Sequence, residues 1–374
     1  MKIKDFGVEI WMNLYENNCE YNLAETCVES LKVGELLEIA GLKESFYDEL
    51  CDMKLTYGAI EGSLLLRKEI CELYKTVKVE NTTVTHGAIG ANALSIMTLV
   101  EKGDRVVSVL PTYQQHYSIP ESIGAEVKIL PLEFENDFLP DLNLLKELVN
   151  EKTKLICINN PNNPTGAVMD EDFLKKIAEI AKSVGAYVIC DEAYRGLTHE
   201  GESFTTSIAD LYEKGISTAS MSKTFSMAGI RLGWIVGPKE FIEKINRQRD
   251  YHVISVGMID DKLATIALKN KEKILKRNLK IVRENAVMLD DWMKGEKLLS
   301  YIKPKGGTTA FLKYDIDMPS VDLCIKLLEE TGVMLLPGSA LDREGYLRIG
   351  YCNSPDVEKA GMAKISEFLK QFES

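Results

Sequence analysis

The sequence predicts an α/β fold, a large domain on a mainly parallel seven-stranded sheet with a smaller α+β domain beside it. Three observations predict it. From Thr82 onward, short apolar β-rich runs alternate with helical stretches, the pattern of a parallel sheet covered on both faces. At 374 residues the chain exceeds one typical domain. Residues 300–374 then change to a strand, helix, strand, strand, helix order.

Taken in order, residues 1 to about 40 mix aromatic, acidic and Asn side chains before a helix at 33–40. This arm either closes over a site or straps onto the body or a partner subunit. Strands are expected at 83–85, 105–110, 126–130, 154–159, 186–190, 216–220 and 232–236. Helices fall near 90–101, 113–123 and 171–184, with a polar segment at 200–214. Helices at 239–250 and 260–297 follow, the second long enough to bridge two domains. The remainder reads as strand 309–314, helix 319–331, strands 333–336 and 346–350 and helix 355–371. The expected division is 1–40 for the arm and part of the small domain, 41–285 for the large domain and 286–374 for the small one.

Composition narrows the function classes. A formal charge of −12 argues against a general binder of nucleic acid or anionic membranes, which relies on clustered Lys and Arg. Eight cysteines without CxxC pairs or zinc spacing point to a reducing, cytoplasmic setting, and four dispersed histidines form no metal spacing. The N-terminus lacks an apolar signal core and no apolar run reaches membrane-spanning length, so neither secretion nor membrane insertion is expected.

The polar motifs sit at strand ends, where open parallel sheets bind ligands. His86-Gly87-Ala88-Ile89-Gly90-Ala91-Asn92 follows a strand and opens a helix, a tight turn whose free N–H groups can hold a phosphate. Asn159-Asn160-Pro161-Asn162-Asn163-Pro164-Thr165-Gly166 ends another strand, its prolines fixing a turn and its amides offering donors to a ligand. Asp191 closes an apolar strand, as a helix cap or a site residue. In Ser220-Met-Ser222-Lys223-Thr-Phe-Ser-Met-Ala-Gly-Ile-Arg231, a lysine beside an arginine and small hydroxyls suits a covalent anchor next to an anion.

In this order the motifs resemble the class I/II pyridoxal-phosphate aminotransferases of fold type I, from Tyr57-Gly to Arg348. The resemblance implies pyridoxal 5'-phosphate as cofactor, with Lys223 as Schiff-base lysine and proton shuttle and Asp191 paired with the pyridinium nitrogen. Tyr194 and Asn163 would bond the ring hydroxyl oxygen and Tyr113 would stack on the ring. Gly87, Ala88, Ile89, Ser220, Ser222 and Arg231 would bind the phosphate, with Tyr57 reaching that of the neighbouring subunit in a homodimer. Arg348 would receive the substrate α-carboxylate through its planar fork.

Two stretches depart from the common pattern and are expected to carry substrate choice: Leu110-Pro-Thr-Tyr-Gln114-Gln115-His116-Tyr117, with its unusual polar bulk, and the Leu336–Leu341 loop. The N-terminal Tyr21-Asn-Leu-Ala-Glu25-Thr-Cys-Val-Glu29 segment looks more like the branch of capreomycidine synthase and the arginine oxidases and hydroxylases. That likeness implies Glu16, Glu25 or Glu29 facing a cationic substrate side chain. The expected reaction moves an amino group from an L-amino acid to a 2-oxo acid; the alternative is an arginine oxidase, hydroxylase or cyclising lyase.

Overall fold

The computed structural model describes residues 2–373. The chain opens with α1 (Gly7–Tyr15), β1 (Tyr21–Asn22), α2 (Val33–Ala40), α3 (Phe46–Cys51) and α4 (Leu64–Cys71). It continues through β2 (Thr82–Thr85), α5 (Gly87–Leu99), β3 (Arg105–Leu110), α6 (Gln115–Ile123), β4 (Glu126–Pro131) and α7 (Leu142–Leu148). Then come β5 (Thr153–Asn159), α8 (Glu171–Val184), β6 (Tyr187–Asp191), β7 (Gly215–Ser220), β8 (Gly233–Val236) and α9 (Lys239–Gln248). Two long helices, α10 (Met258–Lys269) and α11 (Lys271–Met293), lead to β9 (Leu299–Tyr301), β10 (Thr309–Tyr314), α12 (Ser320–Thr331), β11 (Val333–Met334), β12 (Leu336–Pro337), β13 (Tyr346–Gly350) and α13 (Pro355–Leu369).

The large sheet has seven strands in the order β2-β8-β7-β6-β5-β3-β4, all parallel except β8, which runs against both its neighbours. Its central strands β5, β6 and β7 are almost wholly buried, which is why they read as continuous apolar runs. The expected seven strands all form, each within a residue of its expected bounds. A second sheet, β12-β13-β10-β9, is antiparallel, and Arg348 lies in its middle on β13, opposite Phe311 of β10.

Two expected elements divide. The helix expected at 260–297 breaks at Asn270, whose side chain donates to the Ile266 carbonyl at 2.9 Å and so caps the first helix. The strand expected at 333–336 splits at Leu335, whose carbonyl accepts the Trp11 indole N–H at 2.9 Å. Its first half pairs in parallel with β1, and its second joins β13. The β1–β11 pairing and the Trp11 bond fasten the N-terminal arm beside the small sheet. The polar segment 200–214 holds only a 3-10 turn at Ile208–Asp210. No helix among the described residues is long and apolar enough to cross a membrane.

Candidate active site

Beyond the carboxyl ends of β5, β6 and β7 lies a cavity of about 540 Å3. Its floor comes from the sheet rim and its cover from α1 and the strap 25–27. Lys223, Asp191, Tyr194, Asn163, Tyr113 and Arg348 all line it. So do Ala88, Ile89, Ser220, Ser222 and Arg231, together with Glu16 and Glu25.

At one end, α5 begins directly after β2, and its N-cap His86 makes no side-chain capping bond. The first-turn N–H groups of Ala88 and Ile89 therefore remain available to an anion at the positive end of the helix dipole. Gly87 does not line the cavity; it makes room for it. A Cβ there would lie 2.9 Å from Arg231 Nη2, and one on Gly233 would strike the Gly87 backbone at 2.3 Å. Ser220 and Ser222 stand at the end of β7, with Ser222 N–H donating to Ser220 Oγ at 3.3 Å. An arginine, two hydroxyls and a helix start suit a phosphate group.

Asp191, the last residue of β6, is buried with both carboxylate oxygens engaged. Oδ2 accepts from Asn92 Nδ2 at 2.7 Å and Oδ1 from Ala193 N–H at 3.0 Å, while Thr218 Oγ1 donates to Asn92 Oδ1 at 2.6 Å. These donors fix the carboxylate's position at the strand end. Across the turn, Asn159 Nδ2 donates to the Asp191 carbonyl and Asn159 Oδ1 accepts from Asn163 N–H at 2.6 Å. Of the four amides in that turn, only Asn159 and Asn163 line the cavity. Asn160 and Asn162 are turned into the scaffold, bonding Met169 and the Pro111 carbonyl, so the expectation that all four face a ligand is corrected.

Lys223 Nζ donates to Thr26 Oγ1 at 2.6 Å and to Cys27 Sγ at 3.0 Å. Burial opposes its ammonium form, but the groups facing Nζ, namely Cys27, Tyr194 and Glu25, lift its pKa above that of a free lysine. Glu25 is the counterpart: burial favours its neutral form, yet Lys223 and the N–H groups of Thr26 and Cys27 hold its pKa below the usual carboxylate value. Arg348 is buried, with Nη1 donating to Asn163 Oδ1 at 3.2 Å and Nη2 to the Ala24 carbonyl at 2.9 Å. Its Nε has no partner among the described residues. A buried guanidinium on the wall of the cavity suits a carboxylate.

The arm supplies the remaining wall. Val8, Met12 and Glu16 follow one another at four-residue spacing on α1, with Glu9 beside them, and all four line the cavity. Glu9 accepts the Tyr113 hydroxyl at 2.7 Å and Phe6 packs on the Tyr113 ring. Glu29 is exposed and lies outside the cavity, as does Tyr57, which is 73% exposed. Of the two departing stretches, only Tyr113 reaches the cavity; Gln114 to Tyr117 and the Leu336–Leu341 loop lie behind it. Gln114 bonds the start of α1 through Gly7 N–H and the Asp5 carbonyl, Gln115 holds the Ile89 carbonyl, and Tyr117 bonds Asp342. His116 is fully buried, and that burial lowers its pKa. The Leu336–Leu341 loop packs on α1, where a Cβ on Gly7 would meet the Ala340 carbonyl at 2.8 Å. Gln114 and the loop act on the site through the arm they support, whereas Gln115 holds Ile89 of the cavity wall directly.

Sequence reasoning missed Asn92, Thr26, Cys27 and Glu9. Asn92 carried a signal, a lone amide among small and apolar residues in Gly90-Ala-Asn-Ala-Leu94. The other three carried none, because their partners lie about a hundred or more residues away.

The sequence profile of the family "Aminotransferase class I and II" matches residues 9–363. Capreomycidine synthase from Streptomyces vinaceus is 31% identical over 97% of this chain and 93% of that protein. An aspartate aminotransferase from Pyrococcus horikoshii is 32% identical over 82% of this chain and 81% of its own. The crystal structure of a PLP-dependent aminotransferase from Streptococcus suis 89-1591 covers 100% of both chains with a TM-score of 0.97 and 45% identity. Profile, relatives and structure agree, and the chain belongs to the class I and II aminotransferases, as a pyridoxal-phosphate-dependent aminotransferase of fold type I.

Proposed function

We propose that the reaction of this cavity moves an amino group from an L-amino acid to a 2-oxo acid, with Lys223 as covalent anchor and proton carrier. The observation that carries this reading is the convergence on one cavity of Lys223, three residues beyond β7, Asp191 at the end of β6 and Arg348 on β13. When bound, the cofactor takes up the electron pair left by the α-proton, which no side chain alone can do.

The residues present fit that group. Ala88, Ile89, Ser220, Ser222 and Arg231 would hold its phosphate, with Gly87 leaving room. Asp191, fixed by Asn92 and the Ala193 N–H, would set a negative charge against its ring nitrogen. Asn163 and Tyr194 would hold the ring oxygen, and Tyr113 would contribute an aromatic face. Arg348 would receive the substrate carboxylate. Glu16 and Glu25 would face a cationic substrate side chain, since a carboxylate is the natural partner of an ammonium or guanidinium.

A homodimer is part of this reading, with Tyr57 serving the site of the neighbouring subunit. Leu55, Tyr57, Ile60, Leu64 and Leu65 are exposed apolar residues, and Tyr251 and Ile254 lie on the adjoining segment. The segments meet where Ser63 bonds Asp261 and where Gly58 lies against Val256 and Met258. Contiguous apolar surface of this kind marks an interface. Eight free cysteines support a reducing, cytoplasmic location.

A second reading, an oxidase, hydroxylase or cyclising lyase acting on arginine, is favoured by the acidic arm and by the likeness to capreomycidine synthase over nearly the whole chain. Anaerobic mixing of the loaded protein with single amino acids, followed by a 2-oxo acid and separately by oxygen, separates the two. Amino transfer to the 2-oxo acid without oxygen is expected. Oxygen uptake with arginine alone, for an oxidase or hydroxylase, or product from arginine with neither oxygen nor a 2-oxo acid, for a lyase, each with no transfer, would replace the first reading by the second.

A further inference from the structure

The contacts at Lys223 Nζ come from the far end of the chain. Thr26 Oγ1 accepts from it at 2.6 Å and Cys27 Sγ at 3.0 Å. The strap bearing both is fixed along its backbone. Thr308 Oγ1 donates to the Thr26 carbonyl at 2.8 Å, Gly350 N–H to the Leu23 carbonyl at 2.7 Å and the Cys352 thiol to the Glu25 carbonyl at 3.2 Å. A Cβ on Gly350 would lie 1.8 Å from the Glu25 carbonyl oxygen, so only glycine lets the strap run this close. The Glu25 carboxylate then accepts the N–H groups of Thr26 and Cys27 at 2.7 and 2.8 Å, fixing the turn that presents both side chains. Tyr194 faces the same Thr26 hydroxyl from the sheet rim.

An amine that carries a proton must have its lone pair directed at the carbon it serves, and it must be able to lose its charge. A carboxylate in contact with Nζ would hold the ammonium form. Glu25, Cys27 and Tyr194 already favour the ammonium form, and a hydroxyl in contact orients the nitrogen through one N–H bond without adding a further carboxylate to them. Threonine is β-branched, so its hydroxyl keeps one direction. We propose that Thr26, backed by Cys27, is a positioning residue for proton transfer: it holds the Lys223 amine, once the substrate amine has displaced it from the cofactor, within reach of the substrate α-carbon. Nζ gains and later returns the α-proton, and Thr26 has no net proton change. This rests on the reading of Lys223 as the proton carrier.

Single-turnover kinetics of the loaded, full-length protein with protiated and α-deuterated amino acid test it, comparing Thr26→Val with Thr26→Ser. In Thr26→Val the half-reaction should slow about 10- to 100-fold, the worth of one hydrogen bond to a charged group. The α-deuterium isotope effect should grow while KM for the amino acid stays within roughly twofold, and Thr26→Ser should restore the rate. A readout without turnover is the pH dependence of Lys223 acetylation in the cofactor-free chain, measured by mass spectrometry. It should move to lower pH in Thr26→Val, because the ammonium loses an acceptor.

An unchanged half-reaction together with an unchanged acetylation profile overturns the proposal, as does a rise in KM alone, which would make Thr26 a substrate contact. If Thr26→Val does not fold, Cys27→Ala carries the same pair of measurements with a smaller expected slowing, about threefold, fitting a weak sulfur acceptor. No slowing there overturns it equally. Retention of proton transfer in Lys223→Ala would instead sink the reading of Lys223, whereas an inactive Lys223→Ala beside a normal Thr26→Val sinks only the role of Thr26.

Discussion

The sheet rim and the N-terminal arm face each other across one cavity, yet they are built in opposite ways. On the rim, Asp191, Lys223 and the Asn159–Asn163 turn stand at or just beyond the ends of buried strands, each next to backbone that the sheet has already ordered. On the arm, Glu9, Glu16, Thr26 and Cys27 reach the cavity because α1 and the strap are fastened to β11, β13 and the 336–341 loop. The rim therefore suits chemistry common to every substrate, and the arm suits what differs between substrates. Changes on the rim should abolish the reaction for all amino acids, while changes on the arm should re-rank them. The largest effect is expected for Lys223→Ala, a loss of turnover of roughly 10^4-fold or more with every donor, together with loss of the visible absorption of the loaded protein. Absorption that survives in the purified variant would place the anchor elsewhere.

Arg348 tests the boundary between the halves, because it belongs to the small sheet but bonds both the rim amide Asn163 and the strap carbonyl of Ala24. Arg348→Ala should weaken amino-acid binding by about 2–5 kcal/mol, equally for all donors, since a desolvated carboxylate loses its partner. Affinities that fall for some donors and not for others would move Arg348 to the arm's side of the comparison. The same boundary marks how far the sequence could be read. Strand-end motifs carry their own context, because an apolar run followed by Asp191 or Asn159 fixes both the element and where its last side chain stands. The dissection of 260–297 and 333–336 escaped notice because single side chains, those of Asn270 and Trp11, decide it. The polar bulk of Gln114 to Tyr117 is visible in the sequence, but its task is not: Gln114 holds the start of α1, Gln115 the Ile89 carbonyl and Tyr117 the Asp342 carboxylate.

The fastening of the arm has a pH dependence of its own. Glu358, at the start of α13, is buried and accepts from the Asn353 N–H and side-chain amide at 2.9 and 3.0 Å, while Asn353 in turn bonds the Asn22 carbonyl of the arm. Burial pushes the Glu358 carboxyl up from 4.5 to about 7, and the Asn353 donors offset only part of this. Because the folded value lies above the unfolded one, stability from this group is fully present below pH 4.5, falls as pH rises toward 7 and stays low above it. The difference amounts to roughly 3 kcal/mol. Glu358→Gln removes the charge but keeps an acceptor for Asn353, so it should flatten that decline and raise the urea midpoint at pH 8. A variant whose midpoint follows pH as the parent's does would show that Glu358 is not the group responsible.

The smallest effect is also the most selective. Glu16 is half-buried and lines the cavity from the end of α1, and its carboxylate has no hydrogen-bonded partner among the described residues. Glu25, by contrast, already spends one oxygen on the strap's own N–H groups, so its removal would disturb Thr26 and Cys27 as well as any substrate. Glu16→Gln is therefore the cleaner probe of the arm. It should lower kcat/KM for arginine and lysine relative to a neutral donor by roughly fivefold, the size expected of a half-exposed ion pair screened by water. The neutral donor itself should be unaffected, because the rim is untouched. Raising the salt concentration should shrink the difference between variant and parent, as it does for any partly solvated pair. An equal fall for cationic and neutral donors would mean that Glu16 supports the shape of α1 instead of reading the substrate, and the division between a chemical rim and a selective arm would then fail at this residue.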